Sequence, residues 1–252
     1  MGLIIRSDAF IWTAANLLDG TIPLIVTDPP YGNIVDTSWD ESWTIRKQWH
    51  LTTLIDRLLP WGGTAYVWGG IGKPQDRIFF EWLSDIENQS NLVLHDLITW
   101  SKKRAYGKSD RLLFTREECA MLVKGKKPKT FNVPLLEEKR GYAGLNPDYP
   151  AKSEFKRRTN VWTDVTELFK GKIHPCEKPS KLAEIMIETS SNEGDTVLDL
   201  FAGSGSTGVA AEKLGRDYIL IENSNCQMHK LTHITRPSNV TEFRAQSKSK
   251  RD

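Results

Sequence analysis

The chain has 252 residues, 39% of them hydrophobic and 26% charged, and a formal net charge of +2; this suits one large α/β domain with a sizeable core and excludes a uniformly polycationic protein. Cys119, Cys176 and Cys226 are widely spaced and form no C-x-x-C pair, which excludes a disulfide framework and a zinc knuckle and fits a reducing, cytoplasmic setting. No apolar run approaches the ~20 residues that span a bilayer, and the first twelve residues, with Arg6 and Asp8, make no export signal.

Leu3-Ile4-Ile5 reads as the first strand and Leu24–Thr27 as the second, followed at once by Asp28-Pro29-Pro30-Tyr31-Gly32. Helical periodicity predicts helices over about 41–59 and 75–89, and short β-rich runs predict strands at Thr64–Trp68, Leu92–Trp100 and Cys119–Val123. From 124 to 172 the pattern weakens into Lys, Arg, Pro, Gly and Asn, as expected of an irregular insertion. A helix over 179–191, a strand over Thr196–Leu200, a helix over 206–214 stopped by Gly215, and a strand over Tyr218–Ile221 complete a domain of residues 1–236, before a polar tail over 237–252. Strands alternating with helices predict βαβ units and a mostly parallel sheet.

Charge is uneven along this order. Residues 102–172 hold 18 Lys and Arg against 9 Asp and Glu, a net of +9, so the remainder carries 16 against 23, a net of −7. The positive segment suits a polyanionic partner, with Lys102, Lys103, Arg104, Lys126, Lys127, Lys129, Arg157 and Arg158 as candidate phosphate contacts.

Asp28-Pro29-Pro30-Tyr31 at the carboxyl end of a strand makes a rigid pocket for a flat, amine-bearing ring. An exocyclic amine is a poor nucleophile until acceptors hold its hydrogens; the Asp28 carboxylate supplies one and the Pro29 carbonyl another. The prolines fix φ and remove competing amide donors, and Tyr31 offers a stacking face. A turn opened by Asp and Pro is the bland competitor.

The second signature is Asp199-Leu200-Phe201-Ala202-Gly203-Ser204-Gly205, a strand running into a glycine turn that opens a helix. Such turns let backbone amides approach a carboxylate or phosphate. Glu222, 19 residues beyond Gly203 at the end of the next strand, can accept an adenosine ribose. The glycine pattern by itself suits a nicotinamide dinucleotide equally, so an oxidoreductase stays open on the loop; hydride transfer has no use for Asp-Pro-Pro-Tyr.

Asp28–Tyr31, Phe201–Gly205 and the stretch His174-Pro175-Cys176-Glu177-Lys178-Pro179 together resemble the catalytic, cofactor and His-Pro-x-x-Lys-Pro motifs of S-adenosylmethionine-dependent DNA amino-methyltransferases, in the order of the circularly permuted beta group. The resemblance implies a Rossmann-like methyltransferase fold, a seven-stranded, mostly parallel sheet flanked by helices with one antiparallel edge strand. It implies S-adenosylmethionine as cofactor, held by Asp199, Phe201, Ala202, Gly203, Ser204, Gly205 and Glu222, with Asp8 near the adenine and Lys178 and Ser180 near the carboxylate. It implies double-stranded DNA as partner, with the basic insertion as target-recognition region and the target base flipped out. The Asp-led motif favours adenine N6 over cytosine N4, and a catalytically silent nucleic-acid-binding relative is the alternative outside catalysis. A homodimer is compatible; no metal is assigned, because Lys230 stands where a zinc protease motif between His229 and His233 needs Glu. Trp39, Trp43, Trp49, Trp61, Trp68 and Trp82 are expected in the core.

Overall fold

In the computed structural model the described residues are 1–31, 43–70, 77–106, 109, 112–139, 153–167, 177–223 and 240–244. Expectations for Gly32, Trp39, His174, Pro175, Cys176, Cys226, His229, His233 and most of the tail lie outside them.

Eleven strands and five helices are described. The strands are β1 (Gly2–Arg6), β2 (Leu24–Thr27), β3 (Thr64–Gly69), β4 (Leu92–Tyr106), β5 (Phe114–Lys124), β6 (Leu135–Lys139), β7 (Phe155–Arg157), β8 (Val161–Trp162), β9 (Thr196–Asp199), β10 (Asp217–Glu222) and β11 (Val240–Arg244). The helices are α1 (Ala9–Asn16), α2 (Ile45–Leu58), α3 (Arg77–Gln89), α4 (Ser180–Ser190) and α5 (Ser206–Lys213). Nine strands form one sheet in the order β11-β1-β10-β9-β2-β3-β5-β4-β8, and β6 and β7 make a separate antiparallel pair. The mostly parallel α/β architecture matches expectation. The strand count exceeds seven, because β8 and β11 add to the two edges, and β5, antiparallel to both β3 and β4, lies inside the sheet rather than at its rim.

The two-residue period of the strands sorts the core into two layers. Leu24, Val26, Tyr66, Trp68, Cys119, Met121 and Val123 face α4 and α5. Ile25, Ala65, Val67, Ala120 and Leu122 face the side of α2 and α3. Helix α2 buries Leu51, Leu54, Ile55 and Leu58, the i, i+3, i+4, i+7 stripe of an amphipathic helix, and Thr44 caps it by accepting from the Lys47 amide at 3.4 Å.

Trp82 of α3 is fully buried, and its indole N–H donates to Thr52 Oγ1 of α2 at 2.6 Å, tying the two helices together. Trp82→Phe keeps most of the apolar area but leaves the Thr52 oxygen short of a donor. It is expected to cost about 1–2 kcal/mol, lowering the melting temperature by roughly 2–8 °C in a chain of this size. A scanning calorimetry trace superimposable on wild type would refute it.

Not every tryptophan is in the core. Trp61 is 67% exposed at the turn between α2 and β3, where it lies against Gly125 and under the Lys124 ammonium. Conversely, the basic segment contributes to the interior: Trp162 and Val165 are buried, and the Trp100 indole donates to the Val165 carbonyl at 2.8 Å.

Candidate active site

Parallel strands place their following loops on one sheet edge, and both sequence signatures fall there. β2 delivers Asp28–Tyr31, β9 delivers the glycine turn, and β10 delivers Glu222.

The cofactor half is built by backbone conformation. Gly205 lies at φ +83° and opens α5 with no side-chain cap, so among the described residues no cap side chain takes up the first-turn amides of that helix. Gly203 lies at φ +50° with open space where a Cβ would stand, and its N–H donates to Glu222 Oε2 at 2.8 Å. The turn is thus tied to the acid at the end of β10, and its surface stays clear for a ligand. Phe201 stands beside it, edge-on to Trp43 at 5.3 Å. Left-handed glycines, uncapped helix amides and a strand-end carboxylate fit a ligand bearing both a carboxylate and a ribose diol.

Asp199 supports this turn from beneath. It is buried and accepts from the Phe201 amide at 3.1 Å and from the Thr207 hydroxyl at 2.6 Å. Burial, opposed by those hydrogen bonds and reinforced by the charges of Asp28 and Glu222, pushes its pKa up to about 7. A folded pKa raised above the unfolded one means that the folded state binds more protons from about pH 4 to pH 7. Stability therefore falls as pH rises through that window and levels above it, by at most about 4 kcal/mol. Asp199→Asn removes the titration while retaining an acceptor for the Phe201 amide. In urea melts at pH 5 and pH 8, wild type is expected to lose about 2–3 kcal/mol more than the variant over that interval; equal losses would show that Asp199 does not titrate there.

The amine pocket is a charged knot. The Tyr31 hydroxyl donates to Asp28 Oδ1 at 2.6 Å, and the Lys178 ammonium donates to Asp28 Oδ2 and, at 2.9 Å, to the Tyr31 oxygen. The same ammonium is 3.1 Å from Glu117 Oε2 and lies over the rings of Trp68 and Tyr31 at 5.0 and 5.4 Å. Lys102, over the Trp100 ring, pairs with the other oxygen of Glu117. Lys178 thus sits on the amine pocket, donating to Asp28 and Tyr31 with Glu117 within ion-pair reach. Ser180 opens α4 next to it, and Asp8 caps α1 by accepting from the Phe10 and Ile11 amides at 2.9 and 3.1 Å.

Glu117 and Trp68 are the site residues that sequence reasoning missed. The available signal was a pair of acids, Glu117-Glu118, leading directly into the apolar run Cys119–Val123. Glu118, pointing to the opposite face, is buried and accepts from Thr99 at 2.6 Å; burial raises its pKa.

The basic segment is not one surface. Antiparallel β5 runs from the carboxyl edge of the sheet to the amino edge, where Val123 lies opposite Thr64 and Lys124 pairs with Leu92. Lys126, Lys127 and Lys129 follow it there, the Lys129 amide bonded to the Gly62 carbonyl at 2.8 Å. They are a strand's length, about 20 Å, from the Asp28 edge. Arg158 is committed to a two-pronged pair with Asp164 at 2.6 and 2.8 Å, which holds that carboxyl below its usual range. Arg157 is exposed on β7. Lys103 and Arg104 are exposed on β4, where β4 and β5 continue as a two-stranded ribbon past the end of β3, and Glu167 accepts from both their amides at 2.6 and 3.1 Å. Among the described residues no group of acids, histidines and cysteines is arranged to hold a metal, and no helix is long and apolar enough to cross a membrane.

Fold and site together define a mostly parallel α/β protein with an acid–tyrosine pocket and a glycine turn on one edge of the sheet. Residues 22–232 match the DNA methylase family N6_N4_Mtase, and the chain belongs to that family. It is 30% identical to the Type II methyltransferase M.BamHI of Bacillus amyloliquefaciens over 84% of this chain and 52% of that protein, so it spans about half the length of this relative. It is also 30% identical to the DNA adenine methyltransferase YhdJ of Escherichia coli K12, over 80% of this chain and 72% of that one. Its fold matches the Thermus thermophilus protein TTHA0409 in complex with S-adenosyl-L-methionine, with a TM-score of 0.67 and 20% identity over 98% of this chain and all of that one.

Proposed function

We propose that this protein is a DNA methyltransferase that uses S-adenosylmethionine to methylate the exocyclic N6 of a flipped adenine within a specific sequence of double-stranded DNA. The observation that carries the reading is the shared sheet edge: an Asp–Tyr acceptor pocket after β2 beside an open glycine turn and ribose-type acid after β9 and β10.

Phe201–Gly205 and Glu222 would hold the cofactor, supported by Asp199 and flanked by Asp8 and Ser180. The cofactor supplies an electrophilic methyl group; the chain supplies position. Asp28 accepts a hydrogen of the amine and draws the nitrogen lone pair out of conjugation with the ring. Pro29 and Pro30 keep the backbone rigid beside it, and Tyr31 gives the ring a face. The nitrogen becomes acidic only as it is alkylated, so Asp28 need not be a strong base. Most of the acceleration comes from fixing two reactants in line. Extruding the base from the duplex costs a few kcal/mol, and Lys103 and Arg104 on the projecting ribbon suit phosphates near the pocket.

Cytosine N4 methylation is the second reading, because the family spans both amines and the same acceptors serve either. Expression in a methylation-deficient bacterium, followed by sequencing that distinguishes modified bases, tests both. N6-methyladenine at one recurring motif is the expected result, and modified cytosine in its place would reverse the base assignment.

A further inference from the structure

We propose that Lys178 is a movable stopper of the amine pocket: its ammonium occupies the acceptors that the target amine needs, and it transfers to Glu117 as the base enters. The proposal rests on the methyltransferase reading above.

Both oxygens of Asp28 are engaged, Oδ1 by the Tyr31 hydroxyl and Oδ2 by Lys178. An amine that donates to Asp28 must compete with one of them for an oxygen that it already occupies. Tyr31 is three residues away on the same rigid turn, whereas Lys178 reaches in from a segment 150 residues distant on a long, flexible stem. A destination is already in place. Glu117 Oε2 is buried and accepts no hydrogen bond, although the Lys178 nitrogen is 3.1 Å from it; only a small rotation separates ion contact from hydrogen bond. The Trp68 ring face beneath the ammonium keeps the charge partly compensated during the move.

The electrostatics favour this exchange. The amine gains positive charge as it is alkylated, and an ammonium left on Asp28 would oppose that charge and compete for the same lone pairs. Moved onto Glu117, the ammonium is neutralised by a different carboxylate and Asp28 is left to the nitrogen. Glu117 and Lys178 are therefore positioning residues; neither bonds to the reacting atoms.

The test is a double-mutant cycle on the full chain, read by transfer of tritiated methyl groups to unmodified phage genomic DNA, which contains nearly every short site. Glu117→Gln is expected to slow single-turnover transfer about tenfold, with S-adenosylmethionine affinity by calorimetry within about twofold of wild type. Lys178→Met removes the stopper and is expected to lower KM for DNA about three- to tenfold, with Lys178→Gln, which keeps one donor, in between. In the Lys178→Met background, Glu117→Gln is expected to change the rate less than about twofold, because nothing remains to be received. Equal losses from Glu117→Gln in both backgrounds would overturn the stopper, as would a large drop in cofactor affinity from Lys178→Met. If wild type transfers no label, the methyltransferase reading fails and the stopper falls with it; label without coupling removes the stopper only.

Discussion

Asp28→Ala is expected to reduce methyl transfer by about 10³-fold or more while S-adenosylmethionine affinity stays within about threefold of wild type. The two effects separate because the residues sit on different strands. Asp28 follows β2, and the glycine turn and Glu222 follow β9 and β10, tied to each other by the Gly203–Glu222 hydrogen bond and to the interior by Asp199. Removing the carboxylate leaves those contacts standing. It takes from the amine the acceptor that draws out its lone pair, and it leaves Lys178 held by Tyr31 and Glu117 inside the pocket. Asp28→Asn, which keeps a carbonyl acceptor but turns an amide donor toward the amine, should fall between alanine and wild type. Radiolabel transfer and calorimetric cofactor binding, measured on the same preparations, decide it: near-wild-type transfer by the alanine variant would remove Asp28 from the mechanism, and loss of cofactor binding would make it a structural residue.

Much of this site was legible because its pieces are local. The strand–acid–proline–proline–tyrosine turn and the strand–glycine–helix turn each lie within a dozen consecutive residues, and period-two and period-3.6 patterns located β2, β3, β9, β10, α2 and α4 to within a few residues. Helix α1 escaped because it is only eight residues long and its apolar Phe10-Ile11-Trp12 run has no clear period; the cap made by Asp8 was its one signal. The Lys178–Asp28–Glu117 knot escaped for a different reason. It joins three distant segments, and the side chains that meet across a sheet edge depend on strand order and direction, which spacing does not encode. Strand direction also explains the basic segment: Lys126–Lys129 follow β5 closely in sequence, yet an antiparallel strand delivers its successor to the edge away from Asp28. A net charge excess along the sequence is therefore not one patch in space: among the described residues, Lys103 and Arg104 of the projecting β4–β5 ribbon lie on the Asp28 edge and Lys126–Lys129 on the other.

Glu222→Ala is expected to weaken S-adenosylmethionine binding about 30- to 100-fold, from the loss of charge-assisted hydrogen bonds. The side chain has two tasks that alanine removes together. One oxygen holds the Gly203 amide, fixing the left-handed turn whose open side would receive the methionine part of the cofactor. On the proposed reading the strand-end carboxylate would also accept from the ribose hydroxyls. Glu222→Gln separates the tasks: its carbonyl can still accept from Gly203, whereas its amide nitrogen cannot accept from a diol. Glutamine should therefore keep the turn and the melting temperature of the cofactor-free protein, yet lose roughly tenfold in affinity through the ribose contact. Because Asp28 is untouched, kcat at saturating cofactor should fall much less than KM for the cofactor rises, the opposite of the split expected for Asp28→Ala. A glutamine variant that binds cofactor as tightly as wild type would confine Glu222 to holding the turn and would move ribose recognition to another residue on this edge.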